Sequence, residues 1–80
     1  MARSVHTDAY RSVAKRLVAA RKAAGLSQQQ VADKLKRPQS YVAKVEGAER
    51  RLDIIEFLEL AQAIGADPVE LIRGVKLLKP

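Results

Sequence analysis

Gly25, Pro38 and Gly47 cut the stretch GLSQQQVADKLKRPQSYVAKVEG into pieces that leave room only for short helices. Glycine ends a helix readily, and proline has no N–H to give one. After Gly25, Ser27 and Gln30 stand three apart, the spacing at which a serine caps a helix and a glutamine reaches back to the cap, with Leu26 and Val31 placed to staple it. This predicts a helix from about Gln28 to Leu35. Pro38 suits a first helical position, where its missing N–H would be unpaired anyway, so a further helix runs from there to about Glu46. Two short helices are thus joined by a tight turn around Lys36 and Arg37, and Gly47 then releases the chain into the loop GAERRL.

The flanks carry the same punctuation. From Thr7 to Ala24, Tyr10, Val13, Ala14, Leu17, Ala20 and Ala24 recur mostly at steps of three and four, as in one helix that stops at Gly25. Asp53 and Glu56 repeat the capping spacing, with Leu52 and Phe57 as staple. Ile55, Leu58, Ala61, Gln62 and Ile64 then carry a fourth helix to Gly65. Asp67-Pro68 starts a fifth, with Glu70 in its first turn. The tail VKLLKP reads as a short strand or as an extension of the fifth helix. The expected fold is all-α, five helices in one domain over residues 1–80, with the core at about 8–73 and a tail at 74–80.

Eighty residues, 48% hydrophobic and 30% charged, suit one small core. Thirteen alanines let helices approach closely, and nine Leu, eight Val and four Ile supply the bulk. The absence of cysteine excludes disulfides and thiolate metal sites, and one histidine, His6, cannot form a histidine cluster; it reads as a surface residue. MARSVHTDAY lacks the apolar centre of a signal peptide, and no apolar run reaches the ~18 residues of a membrane span, so the expected location is cytoplasmic. The charge is uneven. Residues 1–44 hold ten Lys and Arg against Asp8 and Asp33, while residues 45–80 hold five basic residues against seven acidic ones. The first half can therefore meet a polyanion, nucleic acid above all.

Residues 28–47 match the helix-turn-helix unit, in which one helix braces the next for entry into the DNA major groove. Ala32 permits a close crossing, and Val31, Leu35, Val42 and Val45 pack the pair. From about Leu17 to Ile64 the chain resembles the Cro and lambda-repressor family, the XRE-type regulators. The resemblance rests on Arg21, on Gly25-Leu26-Ser27-Gln28, on Glu46 with its loop, and on LELAQAIG. It implies a five-helix lambda-repressor-like DNA-binding domain with helices 2 and 3 as the helix-turn-helix. Two positions depart from the pattern: Lys36 in the turn and Ala48 after Glu46 stand where the family usually has glycine. A non-glycine residue in the left-handed region costs about 1–2 kcal/mol, so the turn is either reshaped or strained.

On the third helix Gln39, Ser40 and Lys44 share the face away from Val42 and Val45. Glutamine can pair with adenine N6 and N7, lysine can donate to guanine O6 and N7, and serine can address either kind of edge. This face is the candidate base reader, and it is similar to the reading face of phage Cro proteins. The plain alternative is a solvated polar face. Gln28 starts the second helix, where free N–H groups favour a phosphate oxygen, and the resemblance gives its side chain a phosphate contact. Arg37, Arg50 and Arg51 flank the third helix as further phosphate candidates. Tyr41 either touches phosphate or covers the second helix. The resemblance also implies an ion pair between Arg21 and Glu46.

Leu71, Ile72, Val75, Leu77 and Leu78 are the candidate dimer interface, since an apolar patch at this end needs a cover and the family tends to dimerise there. The rival is that they cap a monomer core. No nucleophile with its base, metal cluster or phosphate loop is present, so no enzyme is expected, nor any cofactor or small-molecule ligand. The expected partners are double-stranded DNA and a second copy of the chain, with no membrane. The function expected is sequence-specific regulation of transcription, in a phage, restriction-modification, toxin or housekeeping setting. The alternative is a small helical adaptor for an acidic protein.

Overall fold

The computed structural model describes residues 7–76, which form five helices: α1 (Asp8–Ala23), α2 (Gln28–Leu35), α3 (Gln39–Glu46), α4 (Ile54–Ile64) and α5 (Pro68–Ile72). Local chemistry sets nearly every start. The Thr7 hydroxyl accepts from the Tyr10 amide at 3.2 Å, both expected capping boxes are formed, and Asp67 accepts from the Val69 amide at 2.9 Å. Pro38 differs slightly from expectation. It is the cap before α3, with ψ 152°, and Gln39 is the first helical residue. A cap residue sits in the extended region and needs no N–H, which proline satisfies equally well.

The turn between α2 and α3 keeps its shape and holds Lys36 in the left-handed region, at φ 57° and ψ 43°. The Arg37 amide then closes α2 by donating to the Ala32 carbonyl at 3.0 Å. After α3 the left-handed residue is Ala48, at φ 59°, and not Gly47, whose φ is −81°. Glycine suits position 47 for a different reason: a Cβ there would meet the Ala43 carbonyl at 3.3 Å.

Ten side chains make the core: Leu17, Val31, Ala32, Tyr41, Val42, Val45, Leu60, Ala61, Ile64 and Leu71. Every helix contributes, and α2 packs chiefly on α3 with α4 against its other side. Ala32 is fully buried at the crossing. α4 runs to Gly65 as expected, and its buried stripe is Leu60, Ala61 and Ile64, while Ile55 and Leu58 stand exposed, Ile55 at 63%. Leu71, expected at a dimer interface, is turned into this chain's own core and is 5% exposed. Gly74, at φ 75°, ends any continuation of α5, and Val75 and Lys76 lie in neither helix nor strand. Leu77, Leu78 and His6 lie outside the described residues. Among the described residues no helix is long and apolar enough to cross a membrane.

Candidate nucleic-acid interface

The interface is built outward from one buried charge pair. Arg21, near the end of α1, donates through Nε to Glu46 Oε2 at 2.7 Å and through Nη2 to Oε1 at 3.0 Å, while its Nη1 donates to the Leu26 carbonyl at 2.7 Å. Only 11% and 6% of the two side chains remain exposed. A bidentate pair of this kind holds both planes fixed. Glu46 Oε1 also accepts from Gln28 Nε2 at 2.9 Å, and the Gln28 carbonyl oxygen in turn accepts from Gln39 Nε2. Four side chains from three helices thus form one chain of hydrogen bonds between the core and the first turn of α3, with the donors converging on Glu46.

That chain leaves a defined set of groups at its outer end. Gln39 has spent one amide hydrogen on Gln28, so its second hydrogen and its carbonyl oxygen stay available, which are the donor and acceptor an adenine edge requires. Gln28 likewise keeps one amide hydrogen. Ser40 and Lys44 are exposed beside Gln39 on the same helix.

A second cluster surrounds Tyr41. The Arg37 and Arg50 guanidinium carbons lie 4.4 and 4.8 Å from its ring centroid. Both arginines turn toward Glu56 on α4: Arg50 donates to its two carboxylate oxygens at 3.1 and 2.9 Å, and Arg37 comes within 3.7 Å. Hydrogen bonds from Arg50, then the backbone N–H of Asp53, hold the Glu56 carboxyl down to about 2. Burial, then the charge of Glu56, pushes the Tyr41 phenol above its ordinary value. The Tyr41 ring is a core member at 8% exposure. Arg51 stands apart from this cluster, donating to the Thr7 hydroxyl at 3.2 Å and lying over Tyr10. Burial is the main reason the Tyr10 phenol is also raised.

The structure therefore brings Arg21, Glu46, Gln28 and Gln39 together, and separately Arg37, Tyr41 and Arg50. Sequence reading missed Glu56 as the common anchor of two arginines, although its capping position was plain. It also missed an apolar surface made by Ile54, Ile55 and Leu58 of α4 with Val69 and Ile72 of α5, all exposed. All of these but Ile55 flank a shallow groove whose wall includes Tyr10, Val13 and Phe57. The clue was there in IIEFLELAQAI, which carries more apolar residues than one helix stripe can bury.

A brace helix, a tight turn and a helix with an open polar face define a helix-turn-helix DNA-binding protein. Comparison with known proteins gives the same class. The family described as "Helix-turn-helix domain" matches residues 12–73. Among solved structures, an XRE-family like protein from Pseudomonas syringae pv. tomato str. DC3000 is 44% identical, with a TM-score of 0.81 over 90% of this chain and 88% of that one. The restriction-modification controller protein C.AhdI from Aeromonas hydrophila is 36% identical, with a TM-score of 0.71 over 80% of this chain and 96% of that one. The comparison with curated proteins found no match. This chain belongs to the XRE-type helix-turn-helix family of DNA-binding transcription regulators, which is not a family of enzymes.

Proposed function

We propose that the protein is a cytoplasmic, sequence-specific transcription regulator, a repressor, that binds a palindromic operator as a homodimer with α3 in the major groove. The observation that carries this reading is the held state of Gln39, whose free acceptor and donor are aimed by a hydrogen-bonded chain anchored on a buried ion pair. Gln39, Ser40 and Lys44 read bases. Gln28, Arg37, Arg50 and Arg51 contact phosphates and set the register, with Tyr41 as the support between two of the arginines. For Arg37 and Arg50 a phosphate oxygen takes the kind of place that Glu56 holds in the free protein.

The dimer forms through the α4–α5 surface. Of the residues expected there from sequence, Ile72 is exposed and Leu71 is buried, and we add Ile54, Ile55, Leu58 and Val69 to the surface. Five exposed large apolar residues on two neighbouring helices make a patch that soluble monomers rarely leave open.

The similarity to a restriction-modification controller favours one setting, control of a restriction-modification operon, as the second and narrower reading. Selection from a random duplex library tests both. Recovery of an inverted repeat supports the dimeric regulator, equal binding of shuffled duplexes points to charge alone, and no binding at all leaves the adaptor for an acidic protein.

A further inference from the structure

Among the helices α5 is the least able to hold itself. It has five residues, too few for stability on its own, and only Leu71 of its side chains is buried. At its end Arg73 follows with φ −59° and ψ 129°, and Gly74 at φ 75° turns the chain so that the Val75 amide donates to the Ile72 carbonyl at 3.1 Å, which leaves the Leu71 and Arg73 carbonyls without a backbone donor among the described residues. Those carbonyls are answered from another helix. Arg16 of α1 donates through a single nitrogen, Nη1, to the Leu71 carbonyl at 3.3 Å and to the Arg73 carbonyl at 2.6 Å. Its cation also lies at the end of α5 where partial negative charge collects.

We infer that Arg16 is a positioning residue for self-association, the external C-cap that fixes α5 on α1 so that Val69 and Ile72 stand level with Ile54, Ile55 and Leu58 in one apolar face. Without it, among the described residues, α5 keeps the buried Leu71, its packing on α1 and α4 and the loop at Ala66 and Asp67, and Val69 and Ile72 lose the polar tie that fixes their place. Arg16 is no part of the reading helix or of its hydrogen-bonded chain, so the inference goes beyond DNA contact while resting on the dimer reading above.

Sedimentation equilibrium of the full chain and its Arg16→Ala and Arg16→Lys variants tests it, alongside binding of a single half-site duplex. Arg16→Ala raises the dimer dissociation constant about tenfold or more, roughly the worth of one charge-assisted hydrogen bond. Arg16→Lys recovers part of the loss, because an ammonium can still donate to a carbonyl. Half-site affinity and helix content stay as in the wild type. A dimer unchanged in Arg16→Ala overturns the role of Arg16 alone. Loss of half-site affinity together with helix content overturns it too, by making Arg16 general scaffold. A wild-type chain that stays monomeric removes the dimer reading itself and this inference with it.

Discussion

The α2–α3 side and the α4–α5 side of this molecule present surfaces of different kinds. On the first, the outward-facing Gln39 is polar and already bonded to Gln28, which is bonded in turn to the buried pair of Glu46 and Arg21. On the second, Ile54, Ile55, Leu58, Val69 and Ile72 stand exposed among the described residues. The difference follows from the forces involved. Hydrogen bonds to base edges are directional, so a reading side chain gains by being fixed beforehand. Apolar burial is non-directional and tolerates adjustment, so that surface needs only to be contiguous.

The comparison breaks most severely at Glu46. Glu46→Ala leaves the Arg21 guanidinium buried without its carboxylate, a loss of about 3–5 kcal/mol, and unties Gln28 as well. Because ~1 kcal/mol shifts a domain of this size by roughly 4–8 °C, thermal unfolding followed by circular dichroism should show a fall of more than ten degrees or no cooperative transition. An unchanged melting temperature with lost DNA binding would make Glu46 a contact residue and the reading side no longer self-held.

On the other side, a charge in the middle of the apolar surface should act on association and not on the fold. In the proposed dimer, Leu58→Asp removes from each half the part of the leucine that is still exposed in the monomer, 44% of the residue and worth about 1 kcal/mol by area, and adds like charges that face each other. Light scattering should show the monomer, with operator binding weakened and melting of the dilute protein little altered. A variant that remains dimeric would move the interface elsewhere.

Which of these features could be read from the chain depends on how local they are. Capping boxes at Ser27 and Asp53 were legible because each involves four consecutive residues, and so were the limits of α2 and α4. The inward side of α4 was not, since IIEFLELAQAI is apolar around most of its circumference and docking, not spacing, selects Leu60, Ala61 and Ile64. Leu71 was misassigned for a related reason: a short helix buries one side chain, and sequence does not say which. Lys36 and Ala48 were flagged through their departure from a glycine pattern, and both do take left-handed angles. The links from Gln28 to Gln39 and from Arg50 to Glu56 depend on how helices and loops cross, which no periodicity encodes.

Gln39→Ala sharpens the comparison within the reading side. It should cost about 1–3 kcal/mol on the selected operator and nearly nothing on shuffled duplexes, and relax one base position in each half-site. Titrations by fluorescence anisotropy on both duplexes check this, and equal losses on the two would transfer base reading away from α3. Lys36→Gly is gentler. Relief of the left-handed strain, about 1–2 kcal/mol, is partly offset by the greater freedom of glycine in the unfolded chain, which leaves a gain of roughly 1 kcal/mol. Melting should rise by a few degrees with operator affinity unchanged.

The smallest expected effect lies where the two sides meet. Glu56 is in the first turn of α4, next to the apolar surface, yet it holds Arg50 of the loop that leaves α3. Hydrogen bonds from Arg50, followed by the Asp53 backbone N–H, lower its pKa from 4.5 to about 2. The folded form therefore binds fewer protons than the unfolded chain between those values. The stability Glu56 contributes is fully present above about 4.5 and is lost as pH falls through about 2. Glu56→Gln keeps a carbonyl for the Asp53 amide but no charge for Arg50 or Arg37. Urea unfolding across this range should show the wild type losing its advantage over the variant as pH drops, with a constant difference between them at neutral pH. The difference stays small because Arg50 is 38% exposed and water screens the pair. Parallel curves for the two proteins would mean that Glu56 acts only as a helix cap, and that nothing on α4 restrains the arginines of the reading side.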